Sequence, residues 1–324
     1  MRHNNLGPFG AVSRLTLGGG GIGMVWGEAS ESDAIDTLHR AVEAGIDLID
    51  TAPGYKSCEA MIARAFEGRL PQGVRITTKY GLGNPRAAEV YPRLRASLET
   101  SLAAMRLEHT DMMVLHTEIR PDDFIYPNDD RPRDERSTSL SLYRDSVVPA
   151  FERLVAEGLI GAWGLTGFNH TGATIDAISE GPRPAALQAI ANLLDSAGEM
   201  NGTGIPGRPR DIIAAAKANG VGVMGVRAVQ AGALTAGFDR PITADQRATG
   251  ADFDRAAPYR ALCRQWGEDP AIIAHRYALG MDGVDTLVLG VKSVAELDQA
   301  LAAERAGPLE AEQVAAIDAL GLRP

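Results

Sequence analysis

Short apolar stretches alternate with amphipathic ones along nearly the whole chain, and that alternation constrains the fold more than any single motif. Strands are predicted at residues 12–17, 46–50, 74–79, 111–116, 159–165, 185–190, 221–227 and 284–289. Between the first two, Ala34, Ile35, Leu38, Ala41 and Val42 recur at helical spacing, and Gly45 stops the stripe. Further helices are predicted at 57–66, 92–106, 142–157, 171–180, 211–219, 270–279 and 294–303, with 309–320 outside the series. Buried strands separated by helices make a parallel sheet, and about eight repeats make an α/β protein of the (β/α)8 TIM-barrel class. A length of 324 residues would also accommodate two domains. The unbroken repeat favours a single domain over residues 1–324.

A glycine run follows the first strand. Gly18-Gly19-Gly20-Gly21-Ile22-Gly23 matches G-x-G-x-x-G literally, with Asp47 and Asp50 about where a ribose-binding acid belongs in a Rossmann unit. In that motif the glycines open the helix directly, so that its N-terminus meets the pyrophosphate. Here residues 24–29 intervene, and the first credible N-cap is Ser30, with Asp33 completing a capping box. The barrel is therefore preferred. The glycines are expected to mark a strand that passes close to something flat.

Composition removes several classes of partner. The formal net charge is −10 and no basic stripe offsets it, so nucleic acid is not expected. No apolar run approaches the ~20 residues needed to cross a bilayer, and no membrane partner is expected. The N-terminus lacks the apolar core of a signal peptide. Cys58 and Cys263 form neither a disulfide framework nor a ligand set, so a cytoplasmic location without a bound metal is expected. Oligomeric state is not readable.

The chemistry gathers at strand ends. Asp50 closes the second strand, grouped by alternation with Ile46 and Leu48, and Pro53-Gly54 turns the chain so that Tyr55 stays beside it. Lys79 ends the third strand on the face of Arg75 and Thr77; His116 ends the fourth on the face of Met112 and Val114. Lysine is scarce, with only Lys56, Lys79, Lys217 and Lys292 in the chain. Each residue also suits a structural role: Asp as a turn cap, Tyr as a lid on a turn, Lys as a snorkelling strand end, His as a core hydrogen-bonder. Convergence of all four is harder to explain that way. Three long connections, 117–141, 191–210 and 236–257, follow strands, so in a barrel all three lie on the carboxyl face and can cover a pocket.

These segments resemble the aldo-keto reductases. Asp47-Leu48-Ile49-Asp50-Thr51-Ala52 with Tyr55, Ile76-Thr77-Thr78-Lys79, and Asp111-Met112-Met113-Val114-Leu115-His116 match that family's aspartate, tyrosine, lysine and histidine in order and approximate spacing. The resemblance runs from Arg14 to the helix after Ser293. It implies reversible hydride transfer between a nicotinamide and a small aldehyde, ketone or sugar. Tyr55 would serve as acid and base, Lys79 would lower its pKa, Asp50 would anchor Lys79, and His116 would orient the carbonyl oxygen.

Cofactor contacts carry over less fully. Trp163-Gly164-Leu165-Thr166-Gly167 keeps a hydroxyl at Thr166 but lacks the family's following asparagine; Gln188 matches the family glutamine. Arg227 stands where an aromatic ring commonly stacks on the nicotinamide, and its planar guanidinium is a candidate substitute, with Val226 the alternative. Lys292 and Ser293 resemble the site for an adenosine 2′-phosphate, which favours NADPH/NADP, with NADH/NAD the alternative because Glu296 stands close by and Ala300 replaces an expected asparagine. Ser293 with Glu296 also reads as a simple capping box. Trp26, Tyr80 and the 117–141 loop are expected to wall a pocket for a small carbonyl substrate. Arg120 is expected to pair with Asp122 or Asp123 in a solvated loop. Two other functions fit the same residues: a Schiff-base aldolase using Lys79, and a non-catalytic barrel that binds nucleotide as a redox sensor.

Overall fold

Eight short parallel strands close on one another in the computed structural model. The structure describes residues 1–27, 30–127, 129–201, 204, 207–238 and 241–324. The barrel strands are β1 (Leu15–Gly18), β2 (Leu48–Asp50), β3 (Arg75–Tyr80), β4 (Thr110–Leu115), β5 (Ile160–Gly167), β6 (Ala186–Ile190), β7 (Gly222–Val226) and β8 (Thr286–Leu289). Neighbours follow chain order, and β8 returns to β1 in parallel register, Leu287 beside Leu15 and Leu289 beside Leu17. Outside lie α1 (Glu31–Glu43), α2 (Cys58–Ala65), α3 (Ala87–Met105), α4 (Val148–Ala156), α5 (Thr171–Ser179), α6 (Pro209–Ala218), α7 (Pro270–Gly280) and α8 (Val294–Ala306). Among the described residues no helix is long and apolar enough to cross a membrane.

The side-chain period of two sorts each strand into an inner and an outer set. Leu17, Ile49, Ile76, Met113, Leu115 and Leu187 point outward and join the helices in the largest apolar cluster. Leu48, Met112, Val114, Ala186 and Met224 fill the lower interior. Asp50, Thr77, Lys79, Thr166 and Gln188 share that inward parity nearer the carboxyl ends, all buried. Ile46 departs from the expected grouping: it precedes β2 and belongs to the outer cluster, so Leu48 alone shares the face of Asp50.

A hairpin closes the base. His3–Asn5 pairs antiparallel with Ala11–Ser13, and its Leu6 and Val12 pack into the interior cluster beneath Met112 and Met224. The expected first strand is therefore two pieces, one in this hairpin and one in the barrel. Aspartates at strand starts tie the base together: Ser13 N–H donates to Asp47, Ile76 N–H to Asp111 and Val223 N–H to Asp285, each at 2.8 Å.

Several boundaries move for identifiable reasons. Ser30 and Asp33 do form a capping box on α1. The glycine run is not a passing strand: Gly18 ends β1, and Gly19–Ile22 makes one helical turn. Small size is required there because a Cβ on Gly21 would lie 2.0 Å from the Val291 carbonyl oxygen, and one on Gly23 1.9 Å from that of Tyr55. Pro92 sits inside α3, on its exposed face, and the helix begins at Ala87. The helix expected at 142–157 is α-helical only at its ends, with a π-helical segment at Tyr143–Val147. The 117–141 loop carries two short strands, Glu118–Arg120 and Ser137–Ser139, paired in parallel.

Candidate active site

Strand ends β2, β3 and β4 bring their polar residues to one point. Lys79 Nζ donates to Asp50 Oδ2 at 2.7 Å, to the Thr51 carbonyl at 3.0 Å and to the Tyr55 hydroxyl at 3.1 Å. Asp50 Oδ1 accepts from Thr77 Oγ1 at 2.6 Å and from Gln188 Nε2 at 2.8 Å. Three donors thus hold one buried carboxylate, which offsets the cost of removing it and the ammonium from water. The turn after Asp50 delivers Tyr55: its N–H donates to the Ala52 carbonyl, and its own carbonyl accepts from Cys58 as α2 begins. Lys56 adopts φ 48° in that turn and ties it to the glycine loop by donating to the Met24 carbonyl at 2.9 Å. His116 stands one residue beyond β4. Its N–H donates to the Tyr80 carbonyl, and its ring meets that of Tyr55 edge-on, centroids 6.0 Å apart.

Burial and charge set the protonation states. Burial works to lower the Lys79 pKa, but the Asp50 charge and Tyr55 raise it further, so the ammonium persists above the ordinary lysine range. Tyr55 departs from expectation. Burial raises the phenol above its ordinary value, Lys79 opposes this only in part, and the hydroxyl stays protonated at neutral pH. Burial and the Lys79 charge push His116 down to about 3, which makes it a neutral imidazole able to donate from one nitrogen.

A cavity of about 410 Å³ opens from this cluster. Asp50, Tyr55, His116 and Gln188 line it, as do Gly290, Lys292, Glu296 and Gln299, with Trp26 close to Gly290 and with Asp269 and His275 from α7 and its cap. Phe168 and Met200 also contribute, as do Ala236 and Gly237, so two of the three long connections reach the cavity, whereas the 117–141 loop, expected to wall it, supplies none of its lining among the described residues. Tyr80 is placed elsewhere. It follows Lys79 by one residue, so alternation turns it outward, where it packs on the outer apolar cluster. Thr166 sits beside Gln188 in register, and its buried hydroxyl finds no partner among the described residues. Arg227 lines the cavity from just past β7, where φ 60° turns it out of the strand and its Nε donates to Gln230 at 2.8 Å. Lys292 meets Glu296 at 3.2 Å, while Ser293 caps α8 by accepting from Glu296 N–H at 3.3 Å.

Other expectations are redrawn. Arg120 is buried rather than solvated and pairs with Asp134 at 3.1 Å, its contact to Asp122 going to the backbone carbonyl. The sequence offered no signal for Asp269, His275 or Gln299 beyond their helix positions. Among the described residues no group of three His, Cys, Asp or Glu side chains is placed to hold a metal ion.

The fold and the chain both have relatives. The aldo-keto reductase AKR11C1 from Bacillus halodurans, in its holo form, superposes with a TM-score of 0.72 at 21% identity, covering 99% of this chain and 96% of that one. The glycerol dehydrogenase AKR11B4 from Gluconobacter oxydans follows at 0.67 and 21%, covering 98% and 94%. By sequence, L-galactose dehydrogenase of Arabidopsis thaliana is 24% identical over 302 residues, 90% of this chain and 84% of its own. The sequence profile of the Aldo/keto reductase family matches residues 14–321, and the chain belongs to that family.

Proposed function

We propose that this protein interconverts a small carbonyl compound and its alcohol by nicotinamide-dependent hydride transfer. The observation that carries this is the chain of contacts Asp50–Lys79–Tyr55, 2.7 and 3.1 Å, beside a cavity of about 410 Å³ that Tyr55 and Lys292 both line. Gln188, which lines the cavity, would hold the nicotinamide end, and Thr166 beside it in register keeps a buried unpartnered hydroxyl that would suit an amide if the ligand reaches it. Arg227, Lys292 and Ser293 line or border the remaining length. When bound, the cofactor supplies or accepts the hydride.

The rest falls to the chain's own side chains. Tyr55, protonated and facing the cavity, gives its proton to the carbonyl oxygen as negative charge builds there. Lys79 stabilises the phenolate that remains, and its hydrogen bond to Asp50 keeps it in place. His116, which lines the same cavity with its ring edge-on to that of Tyr55, donates to the same oxygen. Trp26, Phe168 and Met200 supply apolar wall. The named substrates of two relatives, a sugar and a polyol, support a small polyhydroxylated compound. Lys79 is a poor Schiff-base nucleophile here, because Asp50 and Tyr55 hold it as the ammonium.

Nicotinamide oxidation against a panel of aldehydes, ketones and sugars tests this directly. Tyr55→Phe is expected to lower kcat/KM by about 10²–10⁴ while cofactor binding stays within a few-fold. Turnover by the Phe variant at the native rate would refute the role of the phenol. Cofactor binding with no turnover of any carbonyl by the native protein would favour a nucleotide sensor.

A further inference from the structure

The cavity lining carries charged side chains besides those around Tyr55. If nicotinamide meets Tyr55, which rests on the hydride-transfer reading, the rest of the dinucleotide lies along the same cavity, whose lining includes Lys292, Glu296, Gln299 and Asp269. Lys292 is the obvious anchor for a phosphate there, and it is already engaged. Glu296 Oε1 lies 3.2 Å from its Nζ, and Glu296 Oε2 accepts from its N–H at 2.8 Å. The first turn of α8 is also partly spent, because Glu296 N–H donates to Ser293 Oγ at 3.3 Å. Asp269 adds a second carboxylate, accepting from Ala271 N–H at 2.7 Å.

We propose that this lining selects a dinucleotide with a free ribose 2′-hydroxyl, NAD(H), over its 2′-phosphorylated counterpart, NADP(H), and that Glu296 decides the choice. A 2′-phosphate brings between one and two negative charges to a lining where the Lys292 ammonium is already paired with Glu296 and Asp269 adds a second carboxylate. A ribose diol instead donates hydrogen bonds, and a carboxylate with unused lone pairs is the matching acceptor. Discrimination therefore comes from repulsion of one ligand as much as attraction of the other. This reverses the preference that Lys292 and Ser293 suggest by themselves.

Equilibrium titration of NADH and NADPH by calorimetry, without substrate, tests the assignment on the native chain, Glu296→Gln and Lys292→Ala. The native chain is expected to bind NADH at least about tenfold more tightly than NADPH. Glu296→Gln should tighten NADPH by about tenfold and weaken NADH a few-fold, and Lys292→Ala should weaken NADPH further with little change for NADH. Tighter NADPH than NADH in the native chain, or an unchanged ratio in Glu296→Gln, overturns the proposal and leaves hydride transfer standing. Binding of neither nucleotide overturns both. If Glu296→Gln fails to fold, the native ratio alone still decides.

Discussion

Lys79 and Lys292 each pair with a carboxylate along the same cavity, yet their surroundings differ sharply. The Lys79–Asp50 pair is 0% and 2% exposed and has Thr77, Gln188, Tyr55 and a backbone carbonyl around it. Lys292 and Glu296 are 16% and 38% exposed, within one turn of the start of α8. Burial makes the first pair a fixed device whose members cannot be removed singly without leaving a bare charge. Solvent makes the second cheap to rearrange, so it suits discrimination between ligands rather than chemistry.

The largest test of that contrast is Lys79→Met. It should lower kcat/KM by about 10³ or more, because Tyr55 loses the charge that stabilises its phenolate, whereas Lys292→Ala should leave kcat nearly unchanged with NADH. Stability should divide the same way. Asp50→Asn should cost about 3–5 kcal/mol in urea denaturation by stranding the ammonium, and the double variant with Lys79→Met should recover part of it. Additive losses would show that the pair is not coupled.

A smaller effect is expected at Gly23, whose added Cβ would strike the Tyr55 carbonyl. Gly23→Ala should cost about 1–3 kcal/mol and reduce activity through a displaced phenol. The acid limb of stability comes next. His116 titrates at about 3 when folded and 6.5 otherwise, so between those values the unfolded chain holds more protons and stability falls as pH falls. Glu118, raised to about 7 by burial, has the opposite sign, its contribution being lost as pH rises through that value. The difference between native protein and His116→Gln cancels Glu118 and should slope by up to about 1.4 kcal/mol per pH unit. Smallest is the salt effect. Raising ionic strength from about 0.05 to 0.5 M should narrow the NADH-to-NADPH ratio a few-fold while the kcat of Tyr55 chemistry barely moves.

Much of the site was legible because a strand has a strict period of two. Asp50, Lys79 and His116 could be assigned to the barrel interior once the strands were placed, and the same rule should have turned Tyr80 outward. What escaped depends on distance and burial. The bond from Gln188 to Asp50 joins residues 138 apart across the barrel, and no local pattern signals it. The upward shift of Tyr55 reflects how little water reaches it, which residue type does not reveal. Arg227 reads as the last residue of a strand, but its left-handed backbone swings it into the cavity wall. The basal hairpin was missed because His3–Asn5 is too short to show a period.

That hairpin bears on how the enzyme resets between cycles. Leu6, Val12, Met112 and Met224 pack together across the floor of the cylinder, so if Tyr55 acts as proposed, the residues beneath it are apolar and offer it no proton. On that reading the phenol is reprotonated from the cavity side, which would couple its exchange with bulk solvent to emptying the pocket.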